Sequence, residues 1–532
     1  MIGSNTAPVL VFIDKNLHRA EPRMTTPTAT TLHVSDETLN RMRNRADPVA
    51  DDTIARILSP WQPVSPDTSS AAFDTQWQPQ WAKLNDVTTV FADWINNAAL
   101  RGWQAQSDLP AAIGVALAAY TRAARIEPDW ADANKVALAE KMFTDYGALS
   151  VTLLFCASLP ECYVVPDLAS VLQMTGQLED NVDYRIRATG AMIFPVMAVG
   201  GLTAPDGGGV AQVFKVRLIH ATIRNLILRG NPSSITAMQT ANNSTADAAA
   251  RGELAALPQL QAARDQNALR HDEMHQALFA NGWSVRKGGM PCDQEELAYT
   301  LLTFSYVYLR AMRKLGQRFS KDEEEAYLHA WNVMGYYLGI ERALMVDTMD
   351  EAEALFGKMQ ERGRAEWQQR TRDQPTQSQP LNDPRPALGT ALMKAMADVI
   401  PWRVFKPFPE LMTRYLCGPE SSRDLGLNRR VSWYSRALFR SVMLSVRAFD
   451  ALIRLVFHDF SISRLITRVL GYKLITALLM RETRNLKLPG HLRDGINVAL
   501  TGFGNDNKAP AWLNTVEDWM TIKGGWHARP PV

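Results

Sequence analysis

The stretch Lys215–Arg229, KVRLIHATIRNLILR, offers the first chemistry, with Arg217, His220 and Arg224 at i, i+3 and i+7. On a helix these positions share one face. The spacing alone fits a core or boundary histidine beside two solvated arginines. The functional alternative is an axial ligand to haem iron, with an arginine a turn to either side meeting the two propionates. Upstream, Arg185 and Thr189 stand at i and i+4. Beside a ligand pocket they would offer a donor and a hydroxyl for orienting oxygen. Downstream, HDEMH places His271 and His275 at i and i+4, a spacing that can clamp a transition metal. Its glutamate is in the third position, so the run is not a zincin motif, and the flanking Arg270, Asp272 and Glu273 equally fit a solvated helix face. Glu325 and His329 form another i,i+4 pair, the spacing of a salt-linked helix face. LTAPDGGGV, Leu202–Val210, reads as a turn rather than a phosphate loop, because no Lys-Ser/Thr follows it and no strand precedes it.

Helical periodicity must position these residues. It runs from Asp86 onward through Leu109–Arg125, Trp130–Tyr146, Val182–Val199, Leu260–Asn281, Gln294–Leu315, Lys321–Val346 and Met349–Arg370. No alternating run is long enough for a sheet, so the expected class is all-α. The sequence divides into an N-terminal arm over 1–52, rich in Thr, Pro and Asp and expected to be mobile. A helical domain over 53–370 follows. A Pro/Gln-rich linker over 371–386 leads to a helical extension over 387–532.

The 532 residues are 46% apolar and 21% charged, an ordinary globular composition. A net charge of +2 argues against a nucleic-acid partner. Cys156, Cys162, Cys292 and Cys417 fit neither a zinc pattern nor a disulfide framework, and so suggest a reducing compartment. The N-terminus shows no secretion signal, and Met24 is an alternative start. No run of about eighteen uncharged apolar residues is present, so no spanning helix is expected. A cytoplasmic protein is the expectation, with membrane association left open. Pro401–Gly495 carries seventeen Lys/Arg against seven Asp/Glu. Within it, Arg436–Arg481 interleaves arginine with apolar residues. That fits a helical hairpin docked with its arginines outward, or a peripheral contact with anionic lipid.

Four blocks in order carry a resemblance. They are Arg185–Thr189, Arg217–Arg224, GMPCDQEELAYTLLTFSYV at Gly289–Val307 with Gly289, Pro291 and Gln294, and EAYLHAWNVMGYYLGI at Glu325–Ile340. From about Val87 to Met345 the chain resembles the rubber oxygenase (latex-clearing protein) and MpaB-type oxygenase family. The resemblance implies a globin-like helical core around one haem b. It implies His220 as the proximal iron ligand, Arg217 and Arg224 as its flanking arginines, and Arg185 and Thr189 on the distal side. The implied chemistry is oxidation by O2, including cleavage of isoprenoid double bonds. Ala188 stands where latex-clearing proteins carry a lysine, and no secretion signal like theirs is read; both points weigh against rubber as the substrate. Glu161, in SLPECY, is either a distal-side base or a helix-start carboxylate. The expectation is thus a haem-b oxygenase acting with O2 on an apolar, unsaturated lipid or isoprenoid-like substrate. The alternatives are a non-haem metal oxidoreductase using His271 and His275 in a helical bundle, and a non-catalytic haem- or lipid-binding helical protein.

Overall fold

Two N-terminal helices begin on side-chain caps. Ser35 accepts from the Thr38 N–H at 3.1 Å and starts α1, Asp36–Arg43. Asp47 accepts from the Ala50 N–H and starts α2, Pro48–Ile57, with Pro48 at the position where a missing N–H costs nothing. Leu39, Met42, Ala50, Ile54 and Ile57 are buried. Within the expected arm over 1–52, residues 36–43 and 48–52 are helical and docked by an apolar stripe and ion pairs. The computed structural model describes residues 34–58, 70–174, 182–230, 283, 285, 289–372, 383–398, 400 and 402–454.

The described elements continue with α3 (Ser70–Val90), α4 (Asn97–Gly102), α5 (Ala111–Thr121) and α6 (Ala133–Leu153). Gly147, at φ 34°, breaks α6, and its two arms meet at 91°. Glycine has no Cβ to obstruct that backbone. A π-helical turn, Leu154–Ser158, and the short α7 (Leu159–Cys162) follow, both buried throughout. Then come α8 (Pro166–Met174), α9 (Val182–Met197) and α10 (Gly209–Gly230). Next are α11 (Gln294–Phe304), α12 (Tyr306–Lys314), α13 (Lys321–Leu338) and α14 (Met349–Arg372). A reciprocal Ser320–Glu323 capping box opens α13, and Gly339 at φ 89° closes it. The last are α15 (Pro384–Asp398), α16 (Phe408–Cys417), α17 (Pro419–Asp424) and α18 (Trp433–Arg454).

The protein is all-α: no strand occurs among the described residues. The core forms where α13 lies along α6 and where α10 lies against α2, α9 and α13. Stacked aromatics join α13 to α12 and α11, Tyr308 on Tyr327 at 4.6 Å and Phe304 on Trp331 at 5.7 Å. α15 packs on α8 and α9, and α16 packs on the π turn. Leu388, Leu392, Leu416 and Leu425 are buried there. Residues 373–382, inside the expected linker, lie outside the described residues. No single described helix is long and apolar enough to cross a membrane; only the bent pair Ala133–Gly147 and Leu149–Cys162 together would meet that length and composition.

Candidate functional site

Two ion pairs clamp α10 to α2. Arg217 donates Nε and Nη2 to Asp47 at 2.5 and 2.7 Å, and Nη1 to the Tyr337 carbonyl at 3.2 Å. Arg224 donates Nη1 to Asp51 at 2.5 Å, Nε to the Pro291 carbonyl at 2.9 Å and Nη2 to the Cys292 carbonyl at 2.7 Å. Asp47 and Asp51 stand one turn apart, so an i,i+4 pair on α2 meets an i,i+7 pair on α10. Burial pushes the Asp51 carboxyl up, and Arg224 opposes that shift. Arg217 and Arg224, expected to meet propionates, are here each engaged by a carboxylate of the chain itself. A guanidinium this deep requires a carboxylate or carbonyl partner, and the chain supplies its own.

His220 lies between these pairs in sequence and is half-buried. Val216 and Ile223, on the same helix face at i−4 and i+3, are half-buried too. Ile219 is 41% exposed. Leu218, Ala221 and Leu226 are buried. The imidazole therefore shares an apolar, incompletely covered face of a firmly anchored helix. Such a face suits a flat apolar group that needs one nitrogen ligand. α9 packs along α10 and carries Thr189, half-buried, and Ala188, exposed. Arg185 is in this helix, but its side chain lies outside the described residues.

The structure gives Glu161 a different part from that of a base. It is fully buried, and its carboxylate accepts from Arg310 at 2.6 Å, Gln360 at 2.8 Å and Ser421 at 2.9 Å. Its backbone carbonyl accepts from the Tyr299 hydroxyl at 2.7 Å. A fixed cation and two neutral donors hold it as a junction of α7, α12, α14 and α17, the surroundings of a structural carboxylate. His329 is 9% exposed, and its Nε2 accepts the Asp132 N–H at 2.8 Å. Burial lowers its pKa, keeping that lone pair available. Glu325 pairs with Lys321 rather than with His329. His271 and His275 lie outside the described residues. Among the described residues no group of three or more His, Cys, Asp or Glu is arranged to hold a metal ion.

Three features escaped the sequence reading. Lys215, on α10, is 5% exposed without an acidic partner among the described residues, and burial pushes its pKa down to about 8. A lysine at the start of an amphipathic pattern gives no hint of that burial. The second is the work of the Gly289–Gln294 block. A Cβ on Gly289, at φ 72°, would come within 2.6 Å of the Arg43 carbonyl. Gln294 donates to the Ala46 and Gly339 carbonyls at 3.0 and 2.9 Å and accepts from the Glu341 N–H at 2.9 Å. The block clasps three segments and presents the carbonyls that Arg224 holds. The third is a cavity of about 30 Å³ lined by Asp167, Asp293, Glu296 and Arg43, among others. Glu296 is 5% exposed, and its carboxyl pKa is pushed up to about 8, first by burial and then by Asp167. Asp293, also buried, is pushed up by burial and by Glu296.

Comparison with known proteins bears on the same region. The family model described as "ER-bound oxygenase mpaB/B'/Rubber oxygenase, catalytic domain" matches residues 148–454. A rubber oxygenase from Streptomyces sp. (strain K30) is 23% identical over 263 residues, which cover 48% of this chain and 51% of that protein. The chain thus spans about half the length of that curated relative. A solved structure of latex clearing protein LCP in the closed state is similar at a TM-score of 0.48 and 17% identity, covering 87% of this chain and 90% of that one.

Proposed function

Because the chain belongs to the ER-bound oxygenase mpaB/B'/rubber oxygenase catalytic-domain family, we propose that it is a haem-b-dependent oxygenase acting with O2 on an apolar unsaturated substrate of the lipid or isoprenoid class. The membership makes it an oxygenase-family protein; the haem, the substrate class and the residue roles are the proposal. The observation that carries it is the His220 face: an imidazole among Val216, Ile219 and Ile223, incompletely covered, on a helix held by two ion pairs.

In this reading His220 would hold the haem iron, within the globin-like core that the family resemblance implies. Haem bound there would supply the redox iron for O2 chemistry. The Arg217–Asp47 and Arg224–Asp51 pairs fix the height and rotation of α10, and so the position of the imidazole. Arg185 and Thr189 on the adjoining α9 would orient oxygen through a guanidinium and a hydroxyl donor. The apolar residues beside His220 would exclude water and hold the carbon–carbon double bond. Ala188 leaves the α9 side without the lysine of latex-clearing proteins, which points to a smaller substrate than rubber.

The test is a spectrum. Protein expressed with haem supply is expected to show a Soret band, and His220→Ala is expected to lose haem or change its axial signature. A wild type without the band, or an alanine variant with an unaltered spectrum, would remove the assignment.

A further inference from the structure

The last described helix carries apolar residues on two faces. Ser435 and Phe439 are buried on the inner side, with Phe439 against Phe408 at 5.4 Å. Outward, Trp433, Ala437, Arg440, Leu444 and Ala448 follow the i, i+4, i+7, i+11, i+15 progression of a single stripe, and all are exposed. Trp433 is 75% exposed, its neighbour Tyr434 54% and Leu444 55%. A helix docked only for stability would turn a polar face to water. This one presents tryptophan, tyrosine and leucine with arginines among them. Ser435 Oγ also donates to the Val404 carbonyl at 3.4 Å, which brings the turn holding Trp402, 59% exposed, and Arg403 to the same end of the molecule.

Charge decides the occupant. Arg403, Arg429, Arg430, Arg436 and Arg440 are exposed, and none pairs with a carboxylate among the described residues. The sequence beyond α18 continues basic, with Arg464, Arg468, Lys473 and Arg481 against Asp459 up to residue 481. Neither that stretch nor a second copy of this surface offers the complementary negative charge. An anionic lipid surface does: it attracts the arginines, and its headgroup layer accepts exposed tryptophan and tyrosine. We propose that the outward stripe of α18 from Trp433 to Ala448, with Trp402 and Arg403 beside it, docks the protein on anionic membranes with this helix lying flat at the interface.

The experiment is flotation of the full chain with phosphatidylcholine vesicles, with and without phosphatidylglycerol. Binding is expected only with phosphatidylglycerol, and is expected to be released at high salt. Arg436→Gln/Arg440→Gln and Trp433→Ser/Leu444→Ser are each expected to weaken it roughly tenfold or more, at an unchanged thermal melt. Equal binding to neutral vesicles, no binding, or variants that bind like wild type would overturn the proposal. Two controls identify other occupants. A lipid-free dimer dissociated by Trp433→Ser would assign the face to a second copy. In a Trp433→Cys variant, resistance to a soluble maleimide without lipid would assign it to the chain's own C-terminal residues; the native cysteines are all buried, so labelling reports on this position. None of these readouts depends on haem or turnover, so the docking surface and the oxygenase reading stand or fall separately.

Discussion

Asp47 shows how one residue can serve fold and site together. It caps α2 and neutralises Arg217 in the helix that carries His220. The side chains are 4% and 9% exposed, so neither charge can turn to water. Asp47→Ala would strand a buried guanidinium, at a cost of about 3–5 kcal/mol. The double variant Asp47→Ala/Arg217→Met is expected to lose less than that single change, because the uncompensated charge goes with the arginine. Urea unfolding of the set checks this, and equal losses from single and double variants would remove the ion pair from the account. Gly339 supports the same contact by being small: a Cβ there would come within 2.7 Å of Asp47 Oδ2 and 2.8 Å of Arg217 Nε.

At the scale of elements, the start of α11 is the junction to test. Asp293 caps it, Glu296 is buried in its first turn, and the preceding carbonyls hold Arg224. Around Glu296 stand Asp293, Glu295 and Tyr299 of its own segment, Arg43 from α1, Asp167 from α8, and Arg362 and Glu366 from α14. Arg43 is already engaged by Asp167 and Glu366. The Glu296 carboxyl therefore keeps its proton in the folded protein up to about pH 8, while in the unfolded chain it ionises near its ordinary value of 4.5. Between those limits the folded state binds more protons, so stability falls as pH rises, by at most about 1.4 kcal/mol per pH unit from this group. Glu296→Gln is expected to flatten that slope and to be the more stable form at pH 8. Urea unfolding at several pH values measures it, and a slope unchanged by the substitution would assign it elsewhere.

For the whole molecule, the expected division at 371–386 matters. Residues 383–427 supply part of the core: Ser421 donates to the buried Glu161, the Tyr415 hydroxyl donates to the Lys314 carbonyl at 2.7 Å, and Leu416 is fully buried. The family match likewise runs through this region, from residue 148 to 454. Ending the chain after residue 382 would uncover the π turn and α8 and take a donor from Glu161. The expected result is insoluble protein, or a melting temperature lower by on the order of 10 °C or more. Soluble yield and a thermal melt check it, and a truncated chain that melts like the full one would make 383–454 an independent unit.

What the sequence determined by itself was whatever depends on local periodicity and short motifs. The all-α class follows from apolar spacing. The helix of His220 follows from Lys215–Arg229, and the family from four blocks in order. Tertiary structure alone decided which charges are paired. Arg217 and Arg224 looked available because their partners, Asp47 and Asp51, lie 170 and 173 positions earlier in a segment whose composition reads as loose. Glu161 looked like a candidate base because Arg310, Gln360 and Ser421 converge on it from three separate helices. Helix spacing records the face a residue occupies, but not which distant face it meets. Burial and counter-charge are set by that meeting, and with them the difference between a reactive group and a structural one.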